Sequence, residues 1–294
     1  MKKTIVTGAF GFAGANLVEQ LLELGYRVYA VCRAGSAHNE RLKESDQLKK
    51  IYLDMNEYDR LPELIPEKCD YFYHLAWGGD RNDLKAQAQN VTGAVAAMTA
   101  AAHMGGSIRF LGIGSQAEYG ERGDAALITE DLEPKPFSAY GSSKVSAYMA
   151  LKTISEENGI DFMWARIFSL IGKYEPDGRM LPDLVHKLRA GEKVSLSSCE
   201  QYWDYLDAKD AAKAMIAICE KGKPGEIYNI ANGNFKPLKE FVLEACHEVG
   251  ADESLISFGE KAQPFVSLRP SVEKIMKDTG WRPETSFVES IMKY

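Results

Sequence analysis

Along the first half of the chain, the apolar positions switch between two periods. Short β-branched and aromatic runs appear at "KTIVTG" (3–8), "YRVYAVC" (26–32), "KKIYLDM" (49–55), "CDYFYHLAW" (69–77), "SIRFLGIGS" (107–115) and "IDFMWARIFS" (160–169). Each is short enough for a strand and bounded by turn residues. The 69–77 run is nearly continuous, as expected of a strand covered on both faces. Between the runs the spacing becomes helical. In 11–24, Leu17, Leu21, Leu22 and Leu24 recur at helical intervals, and Gly25 supplies a stop. Residues 82–104 form an Ala-rich helical stretch, and 137–158 a further helix. Strand and helix alternating over short connections predict an α/β fold, a Rossmann-like doubly wound parallel sheet. After about residue 170, Pro and Gly punctuate shorter elements. The division expected is therefore a sheet domain over 1–170 and a smaller lobe over 171–294.

Charge and composition narrow the partners. The 294 residues carry 35 Lys+Arg against 42 Asp+Glu, a formal charge of −7. An acidic chain without a long basic run argues against nucleic acid as the main partner. No segment approaches the ~18 continuous apolar residues of a membrane span, and the N-terminal apolar run breaks at Gly8, too early for a signal peptide. Five scattered cysteines make neither a CxxC pair nor a disulfide framework, which fits a reducing cytoplasm. The five histidines include no close pair, so no metal site is expected.

"TGAFGFAG" places Gly8, Gly11 and Gly14 between the first strand and the first helix. Glycines there let the backbone turn sharply, approach a pyrophosphate and seat the helix against the sheet. The helix N-terminus then offers free N–H groups to the anion. A dinucleotide site is the reading, against a merely tight turn. An acidic residue after the second strand would take the ribose 2′-OH of NAD; an Arg there accommodates the 2′-phosphate of NADP. The strand ends in Val31-Cys32-Arg33, so NADP(H) is favoured over NAD(H). Asp54 closes the third strand and suits either an adenine contact or a turn. His74, inside an apolar strand, reads as a buried structural histidine.

"YGSSK" sets Tyr140 and Lys144 one helical turn apart, on one face. A phenol, with a reference pKa of about 10, becomes a usable acid/base when a cation favours its ionised form. Taken in order, "TGAFGFAG", "HLAW", "GSQAEYG" and "YGSSK" resemble the extended short-chain dehydrogenase/reductase family, in its NAD(P)-dependent epimerase/dehydratase branch acting on nucleotide sugars. "RIFSLIG", "QYWDYLDAKDAAKAM", "YNIANG" and "TGWRPETSF" extend the resemblance over nearly the whole chain. It implies catalytic roles for Ser115, Tyr140 and Lys144: Tyr140 exchanges the proton, Lys144 holds the nicotinamide ribose and lowers the phenol pKa, and Ser115 orients the reacting oxygen. It also implies a coenzyme cradle of Gly8, Phe10, Gly11, Phe12, Gly14, Arg33, Asp54, Met55, Leu75 and Ala76, with Tyr140 and Lys144.

Departures from that pattern bear on the reaction. Gln116-Ala117 stand where the 4,6-dehydratases of the family carry an Asp-Glu pair, and neither is a general acid or base at neutral pH. The expectation is a reductase passing hydride from NADPH to a 4-keto nucleotide-sugar. The alternatives are a 4-epimerase with bound NAD and, from another class, a non-catalytic NADP(H)-sensing protein. The smaller lobe is expected to bind the nucleotide diphosphate, and Trp77, Ser115, Gln116, Ser169, Arg179 and Arg269 are the substrate contacts expected. Trp203 stands where many relatives have an Arg, and either stacks on a base or fills core. A homodimer, paired through the Ala-rich helix and the Tyr140 helix, is the expected assembly.

Overall fold

The computed structural model describes every residue except Ala37, Asp124, Ala125 and 261–265. Strand β1 (Lys3–Thr7) leads through the glycine turn into the helix Phe12–Glu23, then into β2 (Arg27–Cys32) and β3 (Leu48–Tyr52). β4 (Tyr71–His74), the helix Leu84–Met104, β5 (Arg109–Ser115), the helix Ala139–Asn158 and β6 (Asp161–Ile167) follow. Every pairing in this sheet is parallel. From one edge the order is Ile227–Ile230, β6, β5, β4, β1, β2, β3. The chain thus winds outward in one direction from β1, then returns to wind in the other from β4. The loops after β1 and β4 part at that reversal and leave a crevice at the strand C-termini.

Side chains along a strand alternate faces, so a sheet buried on both sides needs apolar residues at consecutive positions. The sequence supplies them in pairs. Ile5, Phe72, Phe110 and Phe162 enter one buried cluster; Val6, Tyr73, Leu111 and Met163 enter the other. The first cluster is closed by the helices Leu84–Met104 and Ala139–Asn158, the second by Phe12–Glu23 and Ala208–Lys221. The Ala-rich stretch earns its composition here: Ala94, Ala97, Ala100 and Ala101 are buried, and short side chains let this helix lie close to the sheet and to the Ala139–Asn158 helix.

Residues beyond 170 do not stay in one lobe. The strand Ile227–Ile230 joins the edge of the main sheet beside β6. The helix Ala208–Lys221, Ile275 and Trp281 also pack into the main core, and a smaller third core forms where Leu181, Leu184, Val185 and Leu188 pack on Leu238, Val242, Ala245 and Ile291. No helix among the described residues is long and apolar enough to cross a membrane.

Buried in β4, His74 is held by Thr7, whose Oγ1 lies 2.9 Å from Nδ1. Burial, with the charge of Lys144 adding to it, pulls the imidazole pKa down from 6.5 to about 3. The folded ring therefore stays neutral across a window in which the unfolded ring takes a proton. Between pH 6.5 and 3 the unfolded state binds more protons, so stability falls with acidification, by about 1.4 kcal/mol per pH unit from this group. Urea titrations at pH 6.5 and 5.0 are expected to show wild type losing about 2 kcal/mol more than His74→Gln. Equal losses would refute the assignment.

Candidate active site

Two concave regions open near the strand C-termini. The first, about 460 Å³, runs along the crevice at the switch point. Its floor is the glycine turn with Gly8, Phe10 and Gly11; Cys32, Arg33, Ser36 and His38 close one end, and Asp54, Met55, Leu75, Ala76 and Trp77 form the wall. Gly8 has φ +69, and a Cβ there would sit 2.7 Å from the Ala76 nitrogen. Gly14 lines no part of the crevice. It lets the helix touch the turn: a Cβ would fall 2.1 Å from the Gly8 carbonyl oxygen. The helix start at Gly11 carries no side-chain cap, so its first-turn N–H groups remain available to an anion. A bare helix start, glycines that admit backbone approach, and a long groove at the sheet's reversal fit a dinucleotide. Phe12 also lies off this lining, with the Arg179 guanidinium 5.8 Å from its ring.

The second region, about 620 Å³, lies between the sheet's loops and the smaller lobe. Arg81, Gln116, Ala117, Phe137 and Ser138 come from one side; Met180, Leu196, Gln201, Trp203, Tyr205 and Leu238 come from the other. Its walls are mostly apolar, and Arg81 is the cation on its lining. Three polar atoms among these residues are buried without a hydrogen-bond partner: Oε1 of Gln116, Oε1 of Gln201 and Nε1 of Trp203. Trp203 thus packs on the core and also faces this cleft.

Tyr140, Ser115 and Lys144 line neither region, but the Tyr140 ring is flanked by Trp77 of the first and Arg81 of the second. Ser138 caps its helix, accepting from the Gly141 N–H at 3.1 Å, which puts Tyr140 in the first turn and Lys144 one turn deeper. The phenol interacts with the Ser115 hydroxyl, at the end of β5. Trp77 meets the Tyr140 ring edge-on at 6.2 Å, and its indole N–H is fixed by Gln87 at 2.7 Å. Arg81 covers the ring at 4.0 Å, and its carbonyl accepts the Tyr140 N–H at 3.1 Å. Lys144 is buried, donates to the Ile113 carbonyl at 2.6 Å and lies 3.6 Å over Trp77. Burial pulls its ammonium down to about 7, with Arg81 adding to the fall and Glu118 opposing it. Tyr140 departs from the expected direction: burial raises its pKa, and the Ser115 hydroxyl, Arg81 and Arg179 pull against it. Lys144 lies 5.8 Å from the ring centroid and directs its charge at a carbonyl and an indole.

The remaining sequence candidates sit at varied distances from this centre. Ser169 begins a short strand paired with Tyr205, outside both linings. Arg179 precedes the helix Met180–Arg189, close enough for its charge to reach Tyr140. Arg269 lies 5.0 Å from each of the Tyr202 and Phe235 rings. Sequence reasoning passed over Glu118 and Arg81. Glu118 is fully buried beneath Ser115, accepting its N–H at 2.8 Å and pairing with Arg166 at 2.8 Å. Ser115-Gln116-Ala117-Glu118 is a capping box, a signal legible in the sequence. Nothing local marks Arg81; only the folded loop brings it onto the phenol.

The family model described as "NAD dependent epimerase/dehydratase family" matches residues 4–231. The chain belongs to this family. It is an NAD(P)-dependent enzyme. Its relatives within the family differ in reaction. A GDP-6-deoxy-D-mannose reductase of Pseudomonas aeruginosa is 24% identical, with 99% of this chain and 95% of that protein covered. A UDP-glucose 4-epimerase of Corynebacterium glutamicum is 26% identical, covering 99% of this chain and 94% of that protein. The fold of this epimerase/dehydratase-family enzyme matches the crystal structure of a Bacillus anthracis dTDP-glucose 4,6-dehydratase in complex with NAD: TM-score 0.87, 22% identity, 100% of this chain and 95% of that one.

Proposed function

We propose that this enzyme reduces a 4-keto nucleotide-sugar, taking hydride from NADPH, with Tyr140 as the proton donor. The observation that carries this reading is the Tyr140 ring, flanked by Trp77 of a dinucleotide-shaped crevice and by Arg81 of a second cleft, with Ser115 favouring ionisation of its phenol. NADPH, when bound, supplies the hydride. The chain's own groups do the rest. The glycine turn and the bare helix start take the pyrophosphate. Lys144, one turn from Tyr140, would hold the nicotinamide ribose. Ser115 holds the substrate oxygen, and Tyr140 gives it a proton. The smaller lobe takes the rest of the substrate, with Arg179, Arg269 and Ser169 as outer contacts. The Gln116, Gln201 and Trp203 atoms without partners await uncharged polar groups on that ligand.

Two observations favour reduction over dehydration and over an NAD-retaining epimerase. Gln116 and Ala117 offer no acid or base beside Ser115, and the nearby carboxylate, Glu118, is buried in its pair with Arg166. At the far end of the crevice Arg33, Ser36 and His38 gather after β2, where a 2′-phosphate would lie. A homodimer through the helices Leu84–Met104 and Ala139–Asn158, which pack on each other, belongs to the same reading.

Purified enzyme is expected to oxidise NADPH stoichiometrically with 4-keto-6-deoxy nucleotide-sugars, and Arg33→Ala to lose at least about tenfold of the NADPH-over-NADH preference, the loss of one charge-assisted phosphate contact. C4 interconversion without net coenzyme use would replace the reductase by the epimerase. Unchanged coenzyme discrimination in Arg33→Ala would remove Arg33 from the 2′-phosphate site.

A further inference from the structure

We propose that Arg81 is a positioning residue for the proton transfer: its guanidinium, laid over the Tyr140 ring, stabilises the phenolate that forms when the proton leaves. The proposal rests on the reading of Tyr140 as the proton donor. As the substrate carbonyl carbon accepts hydride, its oxygen takes the phenol proton, and the phenol oxygen keeps the O–H electron pair. Negative charge therefore develops on Tyr140, and a cation already in place favours it without reorganising.

The geometry singles out Arg81 among the charges that face the ring. From the loop after β4, Arg81 lies 4.0 Å from the ring centroid. From the same helix as Tyr140, Lys144 lies at 5.8 Å, its ammonium turned onto the Ile113 carbonyl and the Trp77 face. From the turn after β5, Glu118 opposes ionisation, but its charge is countered by Arg166 at 2.8 Å. From the start of the helix Met180–Arg189, Arg179 acts over a longer reach and is also drawn toward Glu175. Ser115 and Trp77 complete the surroundings and carry no charge.

Arg81 also differs from Lys144 in kind. A guanidinium does not deprotonate in a protein, whereas burial pulls the Lys144 ammonium toward its neutral form. The permanent positive charge on the phenol is thus that of Arg81. Among the described residues no carboxylate pairs with it, so its field is not spent elsewhere. Its position is set by the backbone, because the Arg81 carbonyl accepts the Tyr140 N–H at 3.1 Å. The loop that carries it is pinned to the helix Leu84–Met104 by Asn90, which exchanges two 2.9 Å hydrogen bonds with Gly78.

The test is a tyrosinate absorbance titration of the enzyme saturated with NADP⁺, with the Tyr140→Phe curve subtracted so that one phenol is read. Arg81→Gln is expected to raise the Tyr140 midpoint by about one unit or more, the size of a removed neighbouring charge. Arg81→Lys should recover part of the shift. In turnover, Arg81→Gln should lower kcat by about tenfold, with KM within about twofold, the signature of an interaction made in the transition state. An unmoved midpoint in Arg81→Gln overturns the proposal, and so does a rise in KM alone, which would make Arg81 a substrate contact. The titration needs no sugar substrate. Should no 4-keto nucleotide-sugar turn over, that reading falls while the titration still decides the role of Arg81.

Discussion

Tyr140→Phe is expected to lower kcat by roughly 10³-fold, within the range assigned to a positioned general acid. The change removes one oxygen. It leaves the ring between Trp77 and Arg81, and it leaves the helix start, since Ser138 caps through the Gly141 N–H and not through Tyr140. Coenzyme binding, followed by NADPH fluorescence, should stay within a few fold of wild type, and the thermal midpoint should hardly move. That combination separates a lost proton from a lost fold. Ser115 would still hold the substrate oxygen, so residual turnover through water is expected, but not near-normal turnover. A variant within about tenfold of wild type would place the proton donor elsewhere and would end the reading of Tyr140.

Most of the fold could be read from the chain because both of its signals are local. A strand buried on two faces needs consecutive apolar residues, and Ile5-Val6, Phe72-Tyr73, Phe110-Leu111 and Phe162-Met163 are such pairs. The Gly8, Gly11 and Gly14 spacing foretold a tight strand-to-helix turn, and the close approaches at Gly8 and Gly14 give its reason. What could not be read depended on contacts distant in sequence. The return of Ile227–Ile230 to the main sheet is a pairing with β6 across some sixty residues, and no local pattern distinguishes it from a strand of the smaller lobe. The surroundings of Tyr140 depend on distant contacts in the same way. One helical turn does place Lys144 near the phenol, but the Ile113 carbonyl in β5 and the Trp77 face in the loop after β4 decide where the ammonium goes. Arg81 reaches the ring only because the loop after β4 folds back on the helix start.

Glu118→Gln is expected to be the most destabilising single change proposed for this chain, costing about 3–5 kcal/mol, the range for breaking a buried ion pair from one side. The carboxylate is fully buried and has three donors around it: the Ser115 N–H, Arg166 Nε, and the Trp164 Nε1–H shared between both of its oxygens at 3.1 Å. The space is made by a glycine, since a Cβ on Gly114 would lie 2.2 Å from Glu118 Oε1 and 2.3 Å from Trp164 Nε1. A neutral amide would leave the Arg166 guanidinium charged, buried and without its counter-ion. Urea unfolding of Glu118→Gln should show the loss directly, and Glu118→Leu combined with Arg166→Met should recover much of it, because paired apolar replacement avoids stranding a charge. A cost below about 1 kcal/mol in the single variant would mean that the pair is solvated in solution and does not anchor the turn. The consequence would extend to the chemistry. Glu118 fixes the backbone of Ser115, and Ser115 meets the Tyr140 phenol, so the buried ion pair and the proton transfer are joined through one residue at the end of β5.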